Sequence, residues 1–242
     1  SLEKIVLDDI KPSSRKYPYI NFEFDKNVGK EVISLEKINY SIDGKEIIKD
    51  LNMTIFPGDK IALIGNNEIA KTAFLQILSG DIQPDSGTIK IGGNVKISYF
   101  AKNHAKYFDC DLNMVDWLKQ HSNNKDDSFI RGFLGRMLFS GEETLKKVNV
   151  LSGGEKARCM LSKTMLQEPN FLILDEPTNH LDLESITSLN KGLENFKGEI
   201  LFTSRDYELN RTVANRVIEI KEDGTIIDRP MTYEQYIEES KK

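Results

Sequence analysis

The sequence predicts a doubly wound α/β fold built on a mostly parallel sheet. Three observations predict it. The short runs "IALIG", "NFLILD" and "GEILFT" are apolar without alternation, as strands buried on both faces are. Helical-period segments follow the first two runs: Ala73, Phe74, Ile77 and Leu78 after one, and Ile186, Leu189 and Leu193 after the other. Strand alternating with helix is the pattern of a parallel sheet with both faces covered. The third observation is the loop "GNNEIAKT" between the first strand and its helix, the place where such sheets bind anions.

Taken in order, residues 1–30 are polar, proline-punctuated and aperiodic, which predicts the tail of a linker laid as an arm on a domain covering 31–242. "EVISLEKINY" and "EIIKDLNMTI" alternate on either side of the turn signal "SIDGK", predicting an antiparallel hairpin. "PGDK" turns the chain into "IALIG", and the helix that follows stops at Gly80. "DIQPDSGTIKIGGNVKISYF" supplies a turn and two short strands. A mostly helical subdomain is expected over about 103–150, with "MVDWLKQ" and "SFIRGFLGRMLF" as its amphipathic helices. "LSGGE" opens a helix with Ala157, Met160, Leu161 and Met165 on one face. "VIEIKEDGTIID" reads as a closing hairpin and "YEQYIEES" as a terminal helix.

A chain of 242 residues, 39% hydrophobic, suffices for one large domain or two small ones. No run approaches the ~20 apolar residues of a membrane span, and the N-terminus lacks a secretion-signal layout; a cytoplasmic location without membrane contact is expected. Cys110 and Cys159 are read as reduced thiols, and His104, His121 and His180 are scattered, so no metal cluster is expected. A net charge of −5 argues against an electrostatic clamp on nucleic acid. The absence of an initiator methionine at Ser1 predicts a piece of a longer protein, monomeric or weakly dimeric by itself.

The chemistry concentrates in three stretches. In the loop Gly65, Asn66, Asn67, Glu68, Ile69, Ala70, Lys71 and Thr72, backbone N–H groups and a helix N-terminus would face an anion. There Lys71 would reach β- and γ-phosphates and Thr72 a magnesium ion. "FLILDEP" ends a buried strand in Asp175, placed to hold the metal, and Glu176, placed to polarise water. "LSGGE" offers Ser152, Gly153 and Gly154 as a second anion-facing helix start, with Glu155 behind them.

"LSGGEKAR" followed by "LILDEPTNHLD" resembles the ATP-binding cassette superfamily, and "GGEKAR" with "TNHLD" and "DDIKPSSRKYPYINF" is similar to its ABC-F branch of soluble two-cassette proteins. The likeness covers nearly the whole chain. It implies a P-loop NTPase fold: a mostly parallel core sheet, an antiparallel β subdomain and a helical subdomain. It implies the second cassette of a pair, with ATP and Mg2+ as cofactors, the N-terminal cassette of the same protein as partner, and the ribosome as the larger partner. Gly65, Lys71 and Thr72 then match Walker A, with Thr72 and Asp175 on the metal and Glu176 as the catalytic carboxylate. Ser152, Gly153, Gly154 and Glu155 match the signature that serves the partner's nucleotide, and Asp182 closes the D-loop.

Four departures converge on the cassette's own site. Glu68 and Ala70 replace two loop glycines, adding a negative charge and a Cβ where phosphate must approach. Lys102 stands at the Q-loop glutamine position and cannot ligate a metal. Arg205 stands at the switch-histidine position and cannot accept a proton. Ile42 falls where an aromatic would stack on adenine, with Tyr40 as its substitute. These departures imply weak binding of ATP and Mg2+, with Lys102 and Arg205 replacing part of the metal's charge. Whether the chain contributes to ATP hydrolysis only within a pair, is a non-hydrolysing scaffold, or is the ATPase subunit of a membrane transporter stays open on sequence alone.

Overall fold

The computed structural model describes residues 15–242, so the first part of the expected arm lies outside the described residues. β1 (Ile33–Ile42) and β2 (Lys45–Ile55) form the expected hairpin, with Asp43 and Gly44 at φ of 49° and 78°. An Asp-Gly pair with both φ positive makes the tight turn that matches strand twist. β3 (Lys60–Ile64) leads into α1 (Glu68–Ser79), which stops at Gly80 with φ of 85°. The two short strands that follow part company. β4 (Ser86–Ile91) pairs antiparallel with β1, whereas β5 (Ile97–Phe100) pairs parallel with β6 (Phe171–Asp175).

The expected helical subdomain is less helical than its sequence suggests. α2 (Met114–Lys119) and α3 (Asp127–Arg136) are short, and the remainder holds isolated 3-10 turns at Ala105–Tyr107, Glu143–Leu145 and Val148–Val150. α3 ends before "MLF" because Leu138 turns to φ of 69°. That turn presents the carbonyls of Met137 and Leu138 to the Arg158 guanidinium at 2.9 and 3.2 Å. Arg158 in turn lies over the Phe139 ring. A charged donor held by two carbonyls and an aromatic face outweighs one more helical turn.

α4 (Gly153–Leu166) returns the chain to the sheet, and β6 is followed by α5 (Leu183–Asn195) and β7 (Glu199–Thr203). A short α6 (Tyr207–Val213), capped by the Asp206 side chain, was not expected from periodicity. β8 (Arg216–Ile220) and β9 (Ile226–Arg229) form the closing hairpin, and α7 (Tyr233–Ser240) the terminal helix. The main sheet runs β5-β6-β7-β3-β8-β9, parallel except for β9, and β2-β1-β4 form a separate antiparallel sheet.

The unbroken apolar runs have a direct cause. In β6, Leu172 and Leu174 join the core beneath the helical subdomain, while Phe171 and Ile173 join the core shared with α1 and the antiparallel sheet. Likewise β7 splits Ile200 and Phe202 from Leu201. Each strand therefore needs hydrophobic side chains at every position. Arg216 ties the two sheets, donating to the Thr54 carbonyl at 2.8 Å and to Asp59 at 2.7 Å, with Asp228 as a further partner.

Residues 15–24 pack onto the rest of the chain. Tyr19 N–H donates to the Arg136 carbonyl at 2.9 Å, and Phe22 and Phe24 meet Phe196 edge-on at 6.0 and 5.6 Å. Ile20 sits against Gly192, where a Cβ would come within 2.8 Å of the Ile20 carbonyl oxygen. Only glycine lets the arm lie this close.

Two histidines are built into apolar surroundings: His104 meets the Phe100 ring edge-on, and His121 meets Trp117. Desolvation lowers both to a pKa of about 4, with Lys163 adding repulsion. Both are neutral in the fold below the ordinary histidine value of ~6.5, so the unfolded chain takes up protons that the fold refuses. Stability is therefore expected to fall as pH drops from ~6.5 towards 4. Urea midpoints measured across this range should show the decline, and His104→Gln with His121→Gln should flatten it.

Candidate functional site

The phosphate loop is shaped from both ends. Gly65, just after β3, has φ of 131°, and a Cβ there would lie 2.1 Å from the Ile220 carbonyl oxygen. Only glycine fits. Asn67 caps α1, its Oδ1 accepting from Ala70 N–H at 3.1 Å, while its Nδ2 donates to the Glu222 carbonyl at 3.4 Å. Asn66 and Asn67 thus carry the chain from strand to helix without a second glycine. Ile69 points out, 61% exposed, whereas Ala70 and Lys71 are buried. The Cβ of Ala70 is accommodated inside the fold.

Beside the loop, Asp175 and Glu176 leave β6. Asp175 is buried, with Oδ2 accepting from Thr72 Oγ1 at 2.9 Å and Oδ1 from Thr203 Oγ1 at 2.8 Å. Glu176 turns to φ of 49°, its N–H donating to both the carbonyl and the hydroxyl of Thr203 at 3.1 and 3.0 Å. Thr203, at the end of β7, is a site residue that the sequence reading missed; a threonine ending a buried run was its one visible signal. The Glu176 carboxylate accepts from Arg205 N–H at 3.3 Å. Burial raises the pKa of its carboxyl, and the nearby Glu68 adds to the shift, against the pull of Lys71 and Arg205. A buried carboxylate with raised affinity for protons is suited to accept one from water.

Thr72 and Asp175 are already in contact, and a hydroxyl beside a carboxylate offers the hard oxygen donors that magnesium takes. They fit as two ligands, the remainder coming from water and phosphate; the metal would supply charge neutralisation for phosphate oxygens. Lys102 does not face this pair as a free charge. Its ammonium lies 3.3 Å from Glu68 Oε2, and Lys71 Nζ lies 3.0 Å from Glu68 Oε1. The expectation that Lys102 substitutes for the metal's charge therefore meets a competitor inside the loop. Arg205 is mostly in solvent, 78% exposed, with Nε 4.0 Å from Glu176 Oε1. Tyr40 packs into the core shared with α1, and Ile42 is exposed. Register shifts between Ile38 and Ser41 break the alternation that placed the two on one face.

The second group assembles at the start of α4. Ser152 and Glu155 form a reciprocal capping box: Ser152 N–H donates to Glu155 Oε1 at 3.0 Å, and Glu155 N–H to Ser152 Oγ at 3.2 Å. Glu155 is thereby committed to the helix start, also 3.7 Å from Lys146. The N–H groups of Gly153 and Gly154 are left at the helix tip. His180, in the left-handed region at φ of 66°, abuts them: a Cβ on Gly153 would be 3.3 Å from His180 Nδ1, and one on Gly154 3.1 Å from its carbonyl oxygen. Asp182 then caps α5, accepting from Ser185 N–H at 2.8 Å. Among the described residues no hydrogen bond or ion pair joins this group to the phosphate loop. The starts of α1 and α4 are thus two separate groups within one chain.

Comparison with known proteins gives the family and the fold. A family model described as ABC transporter matches residues 48–179. The chain is 55% identical over 239 residues to an uncharacterized ABC transporter ATP-binding protein of Bacillus subtilis, YkpA, covering 98% of this chain and 44% of that protein. It is 42% identical to the probable ATP-binding protein YbiT of Escherichia coli, over 98% of this chain and 44% of that protein. It is also 34% identical to ABC transporter F family member 5 of Arabidopsis thaliana, over 99% of this chain and 35% of that protein. The chain thus spans less than half the length of these relatives. A dimeric ATP-binding cassette solved in a post-hydrolysis state with ADP and Pi superimposes with a TM-score of 0.66 at 18% identity, covering 81% of this chain and 98% of that one. CbiO1 of Clostridium perfringens gives 0.64 at 22%, covering 87% and 92%. These structures share the fold, a P-loop cassette with mixed sheets and helices.

Thr203 is the residue whose removal separates packing from chemistry here. Thr203→Val keeps the shape but leaves Asp175 Oδ1 without its hydroxyl donor. The expected cost is ~1–3 kcal/mol of stability, read as a lower urea midpoint with an unchanged slope.

Proposed function

The chain belongs to the ABC transporter ATP-binding cassette family, and from that premise we propose that it is the second nucleotide-binding domain of a two-cassette ABC-F ATPase. On this reading the chain's own Walker A site is degenerate, and its main contribution is made in trans, to the nucleotide of the N-terminal cassette. One observation carries the proposal. The phosphate loop has its two nearest ammoniums drawn onto Glu68, while α4 starts with Gly153 and Gly154 behind a complete capping box. The first arrangement disfavours phosphate; the second favours it.

Relatives named as F family members in Arabidopsis thaliana support the branch assignment. From that resemblance follow a cytoplasmic location and work on the ribosome in translation. Among the described residues no helix is long and apolar enough to cross a membrane. Residues 1–30 are read as the tail of the linker, 31–242 as the cassette and about 103–150 as its helical subdomain. By itself the domain is a monomer or weak dimer with little or no turnover.

The residues take these roles. In this chain's own site Lys71 and the loop N–H groups, together with Asn66, Asn67 and Ile69, would surround the phosphates. Thr72 and Asp175 would hold Mg2+, and Glu176 would accept a proton from water. Ser152 and Glu155 fix the helix start so that Gly153 and Gly154 can approach a γ-phosphate bound by the partner, and Asp182 caps α5 two residues after the His180 that abuts that tip. Donors fixed in advance at developing charge are worth ~3 kcal/mol each, or about a hundredfold in rate. A scaffold without turnover is the second reading, favoured by the same closure of Lys71 and Lys102 on Glu68.

Steady-state ATP hydrolysis by the two-cassette protein tests this. Gly153→Asp or Ser152→Arg should lower the rate about a hundredfold, whereas Lys71→Ala, in a loop already impaired, should cost far less. Equal damage from Lys71→Ala would mean that this cassette runs its own catalytic site. No turnover in the wild type, and none lost in a Glu176→Gln variant, would leave the scaffold reading. Co-purification with membrane permease subunits and without ribosomes would place the protein with transporters instead.

A further inference from the structure

Glu68 differs from an ordinary loop substitution in where its two oxygens go. Oε1 lies 3.0 Å from Lys71 Nζ, and Oε2 lies 3.3 Å from Lys102 Nζ. The first is a neighbour pair three residues apart on α1. The second is not, because Lys102 arrives from the segment after β5, 34 residues away. Two ammoniums from separate elements thus converge on one carboxylate, each aligned with a different oxygen. This is how point-charge donors hold a phosphoryl group.

Exposure adds a second fact. The Glu68 side chain is 41% exposed and that of Lys71 only 10%, so the carboxylate has a path to water while the ammonium stays inside the loop. Thr72 and Asp175 lie at the next turn of the same site. Partial burial works against the charge on Glu68, yet the hydrogen bonds and charges of Lys71 and Lys102 hold its pKa below the usual carboxylate range. The group therefore stands in the cradle as an anion.

We propose that Glu68 is a tethered anion occupying the terminal-phosphoryl position of this loop, and so the residue that decides which polyphosphates the site admits. The proposal rests on the reading of this loop as a degenerate phosphate site and supplies the cause of the degeneracy. A polyphosphate enters by displacing the carboxylate: two ion pairs with Glu68 break, and pairs with phosphate oxygens replace them. Each broken pair is partly solvated and individually weak, and the two together set affinity back by about tenfold. The handicap falls more on a nucleoside triphosphate than on a diphosphate, because the occupied place is that of the last phosphoryl group.

Simple repulsion by a nearby negative charge would weaken binding too, and side-chain length separates the two causes. Glu68→Gln removes the charge at constant size. Glu68→Asp keeps the charge but shortens the side chain by one methylene, so it cannot span both ammoniums. Calorimetric titration of the 242-residue chain with Mg-ATP and with Mg-ADP is the experiment.

The expected result is that Glu68→Gln binds Mg-ATP at least about tenfold tighter than wild type, with a smaller gain for Mg-ADP. Glu68→Asp should also bind tighter than wild type. If Glu68→Asp binds no better than wild type while Glu68→Gln improves, charge alone acts and the tether is wrong. Equal affinity of Glu68→Gln and wild type would show that Glu68 takes no part, leaving the phosphate site itself intact. Absence of binding in every variant, including Glu68→Gly with Ala70→Gly, would remove the phosphate-site reading and the tether together.

Discussion

The Asp175 carboxylate is the joint on which the site turns. It accepts one hydroxyl from Thr203, at the end of the neighbouring strand, and one from Thr72, in the first turns of the helix behind the loop. A buried carboxylate is costly unless such donors satisfy it, so its presence fixes the relative positions of β6, β7 and α1. Lys71, Thr72 and Glu176 are hung from those three elements. Glu176 follows Asp175 directly and is itself pinned to Thr203, so the second carboxylate inherits its position from the same hydroxyl.

The layers around this joint were legible wherever a single physical rule governed the residues. β6 and β7 read as buried strands because both faces are covered, and α4 read as a helix because Ala157, Met160, Leu161 and Met165 share one face. The capping boxes that close the starts of α4, from Ser152 and Glu155, and of the terminal helix, from Thr232 and Gln235, are what the structure adds. Rules that act at a distance left no such mark. β4 and β5 look alike locally but belong to different sheets, a choice made by their partners β1 and β6. The early end of α3 depends on Arg158, some twenty residues later, collecting two carbonyls.

The site divides in the same way. Loop, acidic pair and signature were found as contiguous strings, and the structure brings the first two together through Thr72 and Asp175. What the strings could not carry was the identity of each side chain's partner. Glu68 reads in sequence as a charge facing phosphate; in space it faces Lys71 and Lys102. Lys102 reads as a spare cation and is not spare. His180 sits inside the "TNHLD" string, and only the fold shows that it closes against Gly153 and Gly154. Such pairings come from tertiary geometry, which spacing along the chain does not encode.

Besides its bond to Arg136, the arm makes a run of contacts along one helix. Arg15 lies 3.7 Å from Glu184 in the first turn of α5, Ile20 rests on Gly192 near its end, and Phe22 and Phe24 clasp Phe196 just beyond. A 13-residue helix is about 20 Å of stiff rod, and its N-cap is Asp182, two residues from the His180 that touches the tip of α4. The segment that abuts the tip of α4 thus enters α5 at the end where the arm begins its run along that helix, so any shift of α5 carries both contacts with it.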